Sequence, residues 1–169
     1  FYYNILVSNY AKTDKDKALD YLNKASNNEV IKKLTSYTSF IYLNKALVYF
    51  HEDNFRQAQK NISRLILQED FLLLDKAFQL KVLIADIIIR FKNGQHDIIA
   101  KIKNIRRNHK QLLLDEEYVR DREMINIISK KINNEEISDD KKTILSYMSD
   151  YDSEDFDIIS YNIWLRNNL

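Results

Sequence analysis

Cysteine and proline are absent from this chain of 169 residues, and glycine occurs once, at Gly94. Without cysteine there is no disulfide, no thiolate nucleophile and no thiolate-bound zinc or iron–sulfur centre. Without proline, and with one glycine, strand-joining turns lose their usual residues while nothing interrupts a helix. A glycine-rich phosphate loop is excluded on the same ground. No charge of one sign is in excess either: 26 Lys and Arg stand against 25 Asp and Glu, a net charge of +1. No global field therefore gathers nucleic acid or an anionic membrane, and such a partner would need a local patch. The longest apolar stretch, Val82 to Ile89, is interrupted by Asp86 and falls short of the roughly 18 residues of a membrane helix. No signal peptide or lipidation motif is present. A soluble chain is expected, cytoplasmic first, with a periplasmic setting left open. It begins at Phe1, inside an apolar pattern and without Met, so further residues are expected upstream.

Hydrophobic residues make up 45% of the chain, and a chain this long can remove roughly 70% of its unfolded surface from water. With both helix breakers nearly missing, an all-α fold follows. The clearest stretch is Phe40 to Leu67. Its first half places Tyr42, Ala46, Tyr49 and Phe50 on one face of a 3.6-residue helix, and its second half, opened by Asn54 as N-cap, does the same with Phe55, Ala58, Ile62, Leu65 and Ile66. A polar turn at His51 to Asn54 forces the two helices antiparallel.

The stripe recurs. Ala18, Leu22 and Ala25 are spaced 0, 4, 7; Ala58, Ile62 and Leu65 repeat that spacing forty residues later, and Ile98, Ile102 and Ile105 forty residues after that. Recurrence at a fixed interval argues for stacked helical hairpins. Tyr42, Ala46, Tyr49, Phe55, Ala58, Ile62 and Leu65 fall where the tetratricopeptide repeat (TPR) places its large, small and aromatic residues, and the helix pair resembles a TPR unit. Lys45 and Leu65 depart from that pattern, and the forty-residue interval exceeds the usual 34. The resemblance implies a right-handed α-solenoid of antiparallel hairpins: about three over residues 1–111 (1–27, 36–68 and 75–110), followed by capping helices over 112–169. It is expected to form a single domain, the C-terminal part of a longer repeat protein.

Outside the repeats, Asn93 and Gly94 supply a helix stop after a helix from about Asp75 to Lys92. Asp115 to Asn133 reads as one long helix. Ser138 with Asp139 and Asp140 opens another over Lys141 to Ser149, and an acidic link, Asp150 to Asp157, leads to a last helix rich in Ile158, Ile159, Tyr161, Ile163, Trp164 and Leu165.

Chemistry has little to stand on. His51, His96 and His109 share no metal-ligand spacing. His51 reads as a solvated turn residue, and His96 with Asp97 as a helix cap. Glu116, Glu117, Asp121 and Glu123 are interleaved with Arg120 and Arg122, which suggests an i, i+4 salt-bridge lattice rather than acid–base catalysis. Serine and threonine have no nearby histidine to make a triad. No catalytic, metal or cofactor site is expected. Lys92 to Lys110 holds six cations against Asp97, a local excess of +5, read as a solvated helix face with Phe91 as the only nearby stacking aromatic. The acidic run Asp150 to Asp157 has the charge to dock on that basic helix.

In a TPR-like array the first helices of each hairpin line a concave groove. The resemblance places Tyr3, Val7 and Tyr10 there, facing Phe40, Leu43, Leu47 and Phe50. Tyr3 and Val7 stand where a carboxylate-clamping TPR would use Lys and Asn, so that sub-function is set aside. Tyr3, Tyr10, Phe40, Leu43, Leu47 and Phe50 are candidates to bind a protein or peptide partner, or else pack inside the hairpins or against upstream helices. The expected function is a non-catalytic protein-interaction module or scaffold. Two alternatives are a peptide-sensing regulatory or dimerisation domain of a bacterial signalling or transcription-regulatory protein, and an RNA-binding helical repeat.

Overall fold

The computed structural model describes residues 2–11, 13–34, 36–137 and 157–168. Its regular structure is helical throughout these residues, with ten α-helices, two short 3-10 helices and no strand among them. The chain divides into two compact units, Phe1–Leu74 and Asp75–Leu169.

The first unit holds α1 (Tyr2–Ala11), α2 (Lys15–Ser26), the single turn α3 (Glu29–Lys32), α4 (Tyr37–His51) and α5 (Phe55–Ile66), then a 3-10 helix, Glu69–Leu73. α1 pairs with α2 and α4 with α5, and α4 also packs on both α1 and α2. Polar side chains start α2, α3 and α5. Asp14 accepts the Lys17 N–H at 3.1 Å, Asn28 those of Val30 and Ile31, and Asn54 that of Gln57 at 3.3 Å. Ala18, Leu22 and Ala25 join Val7, Ala11, Ile41 and Val48 in one buried cluster spanning α1, α2 and α4. On α5, Ala58, Ile62 and Leu65 are fully buried, as is Ala46 on α4. Each buried Leu or Ile is worth about 1.5 to 3 kcal/mol relative to exposure.

The second unit holds α6 (Lys76–Lys92), α7 (Ile98–Asn108), α8 (Lys110–Leu114), a 3-10 turn (Glu116–Tyr118), α9 (Val119–Ile132) and α10 (Tyr161–Asn168). α6 opens on Asp75, whose carboxylate accepts from Ala77 and Phe78, and pairs with α7, while α9 packs on both. From Ile84 to Ile89 every residue of α6 is buried, which makes it the central helix. Ile98, Ile102 and Ile105 are buried on α7. The expected hairpin 75–110 is thus α6–α7, and it shares its unit with the C-terminal helices.

Three helices end the same way, and only one of them with glycine. Asp53, Gly94 and Asn134 take positive φ of 54°, 66° and 56°. The N–H of the residue after each reaches back five positions, Asn54 to Tyr49, Gln95 to Arg90 and Glu135 to Lys130. These are Schellman caps, in which a short Asp or Asn side chain tolerates the left-handed conformation nearly as glycine does. A chain with one glycine can therefore still stop its helices sharply.

Two expected boundaries shift. Asp115–Asn133 is not one helix: the Asp115 carboxylate accepts the Glu117 N–H at 3.0 Å and starts the 3-10 turn, so α9 begins at Val119. The last helix begins at Tyr161, after Ser160, whose hydroxyl accepts the Ile163 N–H. The helix expected over Lys141 to Ser149, and the acidic link before Asp157, lie outside the described residues.

Candidate functional site

All six candidate partner-binding residues lie on α1 and α4, two helices that pack together. Every one is half-buried, neither closed into the core nor free at the surface. Tyr3, Tyr10 and Phe40 pack against the buried cluster of the first unit. Tyr10 stacks on Tyr21 of α2 at 5.6 Å between ring centroids, with Lys17 over its ring, and Lys24 lies over Tyr21. Phe50 meets Phe55 of α5 edge to face, also at 5.6 Å. Leu43 and Leu47 lie one helical turn apart on α4 and stand outside the α1–α2 cluster.

Val7 differs. Expected on the same face, it is fully buried in the cluster with Ile41 and Val48. The reason is geometric: α4 buries Ile41, Asn44 and Val48, spaced i, i+3, i+7, as a stripe distinct from Ala46. Asn44 lies within that stripe because its amide donates to the Phe40 carbonyl at 2.9 Å, which satisfies it locally.

Elsewhere the charged residues do more than coat the surface. The expected lattice on α9 is not what forms. Asp121, only 2% exposed, accepts the Tyr161 hydroxyl at 2.7 Å and pairs with Lys81 of α6 at 3.0 Å. Lys81 also reaches Asp157 at 3.0 Å, and Arg120 reaches the other oxygen of that carboxylate at 2.9 Å. α6, α9 and the start of the C-terminal segment are thereby tied at one point. Burial, then the neighbouring Asp121 and Asp157, push the Tyr161 hydroxyl well above its ordinary value near 10. The signal was present in the sequence: Asp121 leads Met124, Ile125 and Ile128 on the apolar side of its helix.

A second buried acid organises α6 and α7. Asp86, 1% exposed, takes the Arg90 Nε at 2.9 Å and the Lys101 ammonium at 2.9 Å, while Arg90 extends to Asp97 at 3.0 Å. Asp97 therefore pairs with Arg90 and makes no side-chain cap for α7, contrary to the capping expected of the His96–Asp97 pair. His96 and His51 are exposed, His51 as the last residue of α4. His109 is buried at the end of α7, its Nδ1 without a hydrogen-bond partner among the described residues, and burial followed by Lys76 lowers its pKa below the ordinary 6.5.

The basic run shrinks accordingly. Lys101 is committed to Asp86, and Lys92 donates to Asn168 at 2.9 Å. Lys103, Arg106, Arg107 and Lys110 remain as exposed cations. Asp157 binds Lys81 and Arg120 rather than the helix over 92–110, and the rest of the acidic run lies outside the described residues. Among the described residues no group of three or more His, Asp or Glu could hold a metal ion, and no helix is long and apolar enough to cross a membrane. No protein-family model, curated protein or solved structure matches the chain.

Proposed function

We propose that the chain is a TPR-like interaction module that binds a peptide or partner helix through the α1–α4 face, with no catalysis of its own. The observation that carries this reading is the half-burial of all six apolar candidates on two adjacent helices. Leu43, Leu47 and Phe50 form a row at i, i+4, i+7 that retains exposed apolar surface, and a partner covering it gains the hydrophobic contribution of that remainder. The packing order supports a stacked-hairpin origin: α1 with α2, α4 with α5, and α4 on both helices of the preceding hairpin. So do the buried stripes of α2, α5 and α7 at their forty-residue interval.

Panning a displayed peptide library against the full chain tests it. Peptides should be enriched whose binding falls at least tenfold in Leu47→Ser, about 1.4 kcal/mol, as expected for a contact near the centre of an interface. Leu47→Ser is checked for native helix content by circular dichroism. Absence of enrichment, or peptides that bind the folded variant equally, would remove this function from the α1–α4 face.

A further inference from the structure

In the second unit, α7, α8 and α9 enclose a groove of about 230 Å³ lined by Arg106, Lys110, Leu113, Leu114, Arg122, Ile125 and Asn126. Leu113 and Ile125 form a buried floor, whereas Leu114 is 64% exposed at the edge. Three of the seven residues are cations and none is a carboxylate. Arg122 is the most committed: its guanidinium donates to the Leu113 carbonyl at 2.9 Å, and Glu123 lies 3.7 Å from its Nε. Arg106 donates to the Asn126 side-chain carbonyl at 2.8 Å, which fixes its guanidinium at the groove. Lys110 has no ion-pair partner among the described residues. Counting Glu123 against Arg122, the groove keeps an excess of two positive charges beside exposed leucine.

Chemistry narrows what such a groove accepts. A metal ion has no carboxylate or imidazole ligand here. A stacked nucleobase would need an aromatic platform, and no aromatic residue lines the groove. A peptide backbone brings as many N–H donors as carbonyl acceptors, whereas the groove supplies mostly donors: the Leu113 and Asn126 carbonyls each already receive one arginine proton and have one lone pair left. What fits is a ligand that supplies acceptors at one end and no polar group at the other.

We propose that the α7–α8–α9 groove binds a small amphipathic anion, a single carboxylate or phosphate head on an aliphatic tail of up to about eight carbons, a size that a cavity somewhat below the usual ligand-pocket range admits. The head lies between Arg106 and Lys110, and the tail covers Leu113, Leu114 and Ile125. This site is separate from the α1–α4 face and does not depend on its assignment.

Titration of the full chain with sodium octanoate, followed by amide chemical shifts, tests the proposal. Octanoate should perturb residues of α7, α8 and α9 around Leu114. Octanol and acetate should each bind at least tenfold more weakly, since each lacks one half of the recognition. Hexanoate should bind more weakly than octanoate by about fourfold per methylene lost. Octyl phosphate run alongside identifies the preferred head: tighter binding than octanoate selects phosphate, weaker binding selects carboxylate. Lys110→Ala should lower octanoate affinity about two- to fivefold and flatten its salt dependence, as an exposed cation does. Leu114→Ser, at an exposed position that leaves folding intact, should weaken octanoate more than acetate. Octanol binding as well as octanoate, shifts centred outside these helices, or affinity unchanged in both Lys110→Ala and Leu114→Ser would overturn the proposal.

Discussion

Removal of the Asp121 carboxylate should release the C-terminal helix. In Asp121→Ala the Tyr161 hydroxyl loses its 2.7 Å acceptor, and Lys81, 18% exposed, keeps only Asp157, which it shares with Arg120. Two cations then face one carboxylate at a largely buried point. Breaking a buried pair by deleting one partner costs about 3 to 5 kcal/mol, and the retained Asp157 contact together with the partial exposure of Lys81 favours the lower end, about 3 kcal/mol. Trp164, the only tryptophan in the chain, reports on this element directly: it is buried on α10 and meets Phe91 of α6 edge to face at 5.3 Å. With a urea dependence of about 1 to 3 kcal/mol per molar, the tryptophan-detected midpoint should fall by roughly 1 to 3 M. Tyr161→Phe, which removes only the hydroxyl, should cost about 1.5 to 3 kcal/mol, and a double-mutant cycle with Asp121→Ala should return a favourable coupling of similar size. A midpoint for Asp121→Ala within about 0.3 M of the parent would refute the claim that this network holds α10 in place.

Two other perturbations have signs fixed by the structure. Ala58 is fully buried on α5, which packs on α4, so Ala58→Leu should overpack that pair and cost about 1 to 3 kcal/mol; an unchanged thermal midpoint would show that these helices do not meet at Ala58. His109 has a folded pKa below its unfolded value near 6.5, so the unfolded chain binds the extra proton first: stability should be full above pH 6.5 and fall as the pH drops from 6.5 through the folded value. Urea midpoints between pH 7.5 and 5 should show this slope, and it should be smaller in His109→Gln; equal slopes in both proteins would assign the acid sensitivity to other groups.

Several helices were legible because they carried their own start or stop. Asn54 was visible as an N-cap, a helix start near Asp75 and a stop at Asn93 and Gly94 were marked, and the 0, 4, 7 stripes marked the faces that Ala18, Ala58 and Ile102 now bury. What the pattern could not resolve was where a helix has two buried sides. α4 buries Ile41, Asn44 and Val48 as well as Ala46, and from spacing alone Val7 belonged equally to the groove or to the stripe that meets them. Local charge arithmetic failed for a related reason. Arg120, Asp121 and Arg122 look like one alternating surface, but successive helical residues point about 100° apart. Arg120 goes to Asp157, Asp121 to Lys81 and Tyr161, and Arg122 to the Leu113 carbonyl: three directions that only the tertiary arrangement defines.

The near-balance of charge conceals two different uses of it. In the first unit the close pairs Asp14–Lys17, Asp20–Lys24 and Glu29–Lys32 are local and exposed, a class that contributes about 0 to 1 kcal/mol each and restrains no tertiary contact. Its helices are joined mainly by apolar and aromatic packing, with the partly exposed Lys15–Glu52 pair at 3.8 Å between α2 and the end of α4, and Leu43, Leu47 and Phe50 are left half-covered. In the second unit Asp86, Asp121 and Asp157 are buried and connect residues as far apart as Lys81 and Asp157. Such pairs resist rearrangement, because moving one partner strands a charge in a poorly solvated place. The second unit is therefore built to hold its arrangement. In the first, the Lys15–Glu52 pair is partly exposed, and among the described residues added apolar contact at the α1–α4 face is gained without breaking a buried ion pair. If the α1–α4 face binds a peptide as proposed, substitutions in the Asp121 network should leave the effect of Leu47→Ser on that binding unchanged wherever the first unit stays folded; a loss of binding in a folded Asp121→Ala chain would argue against that placement.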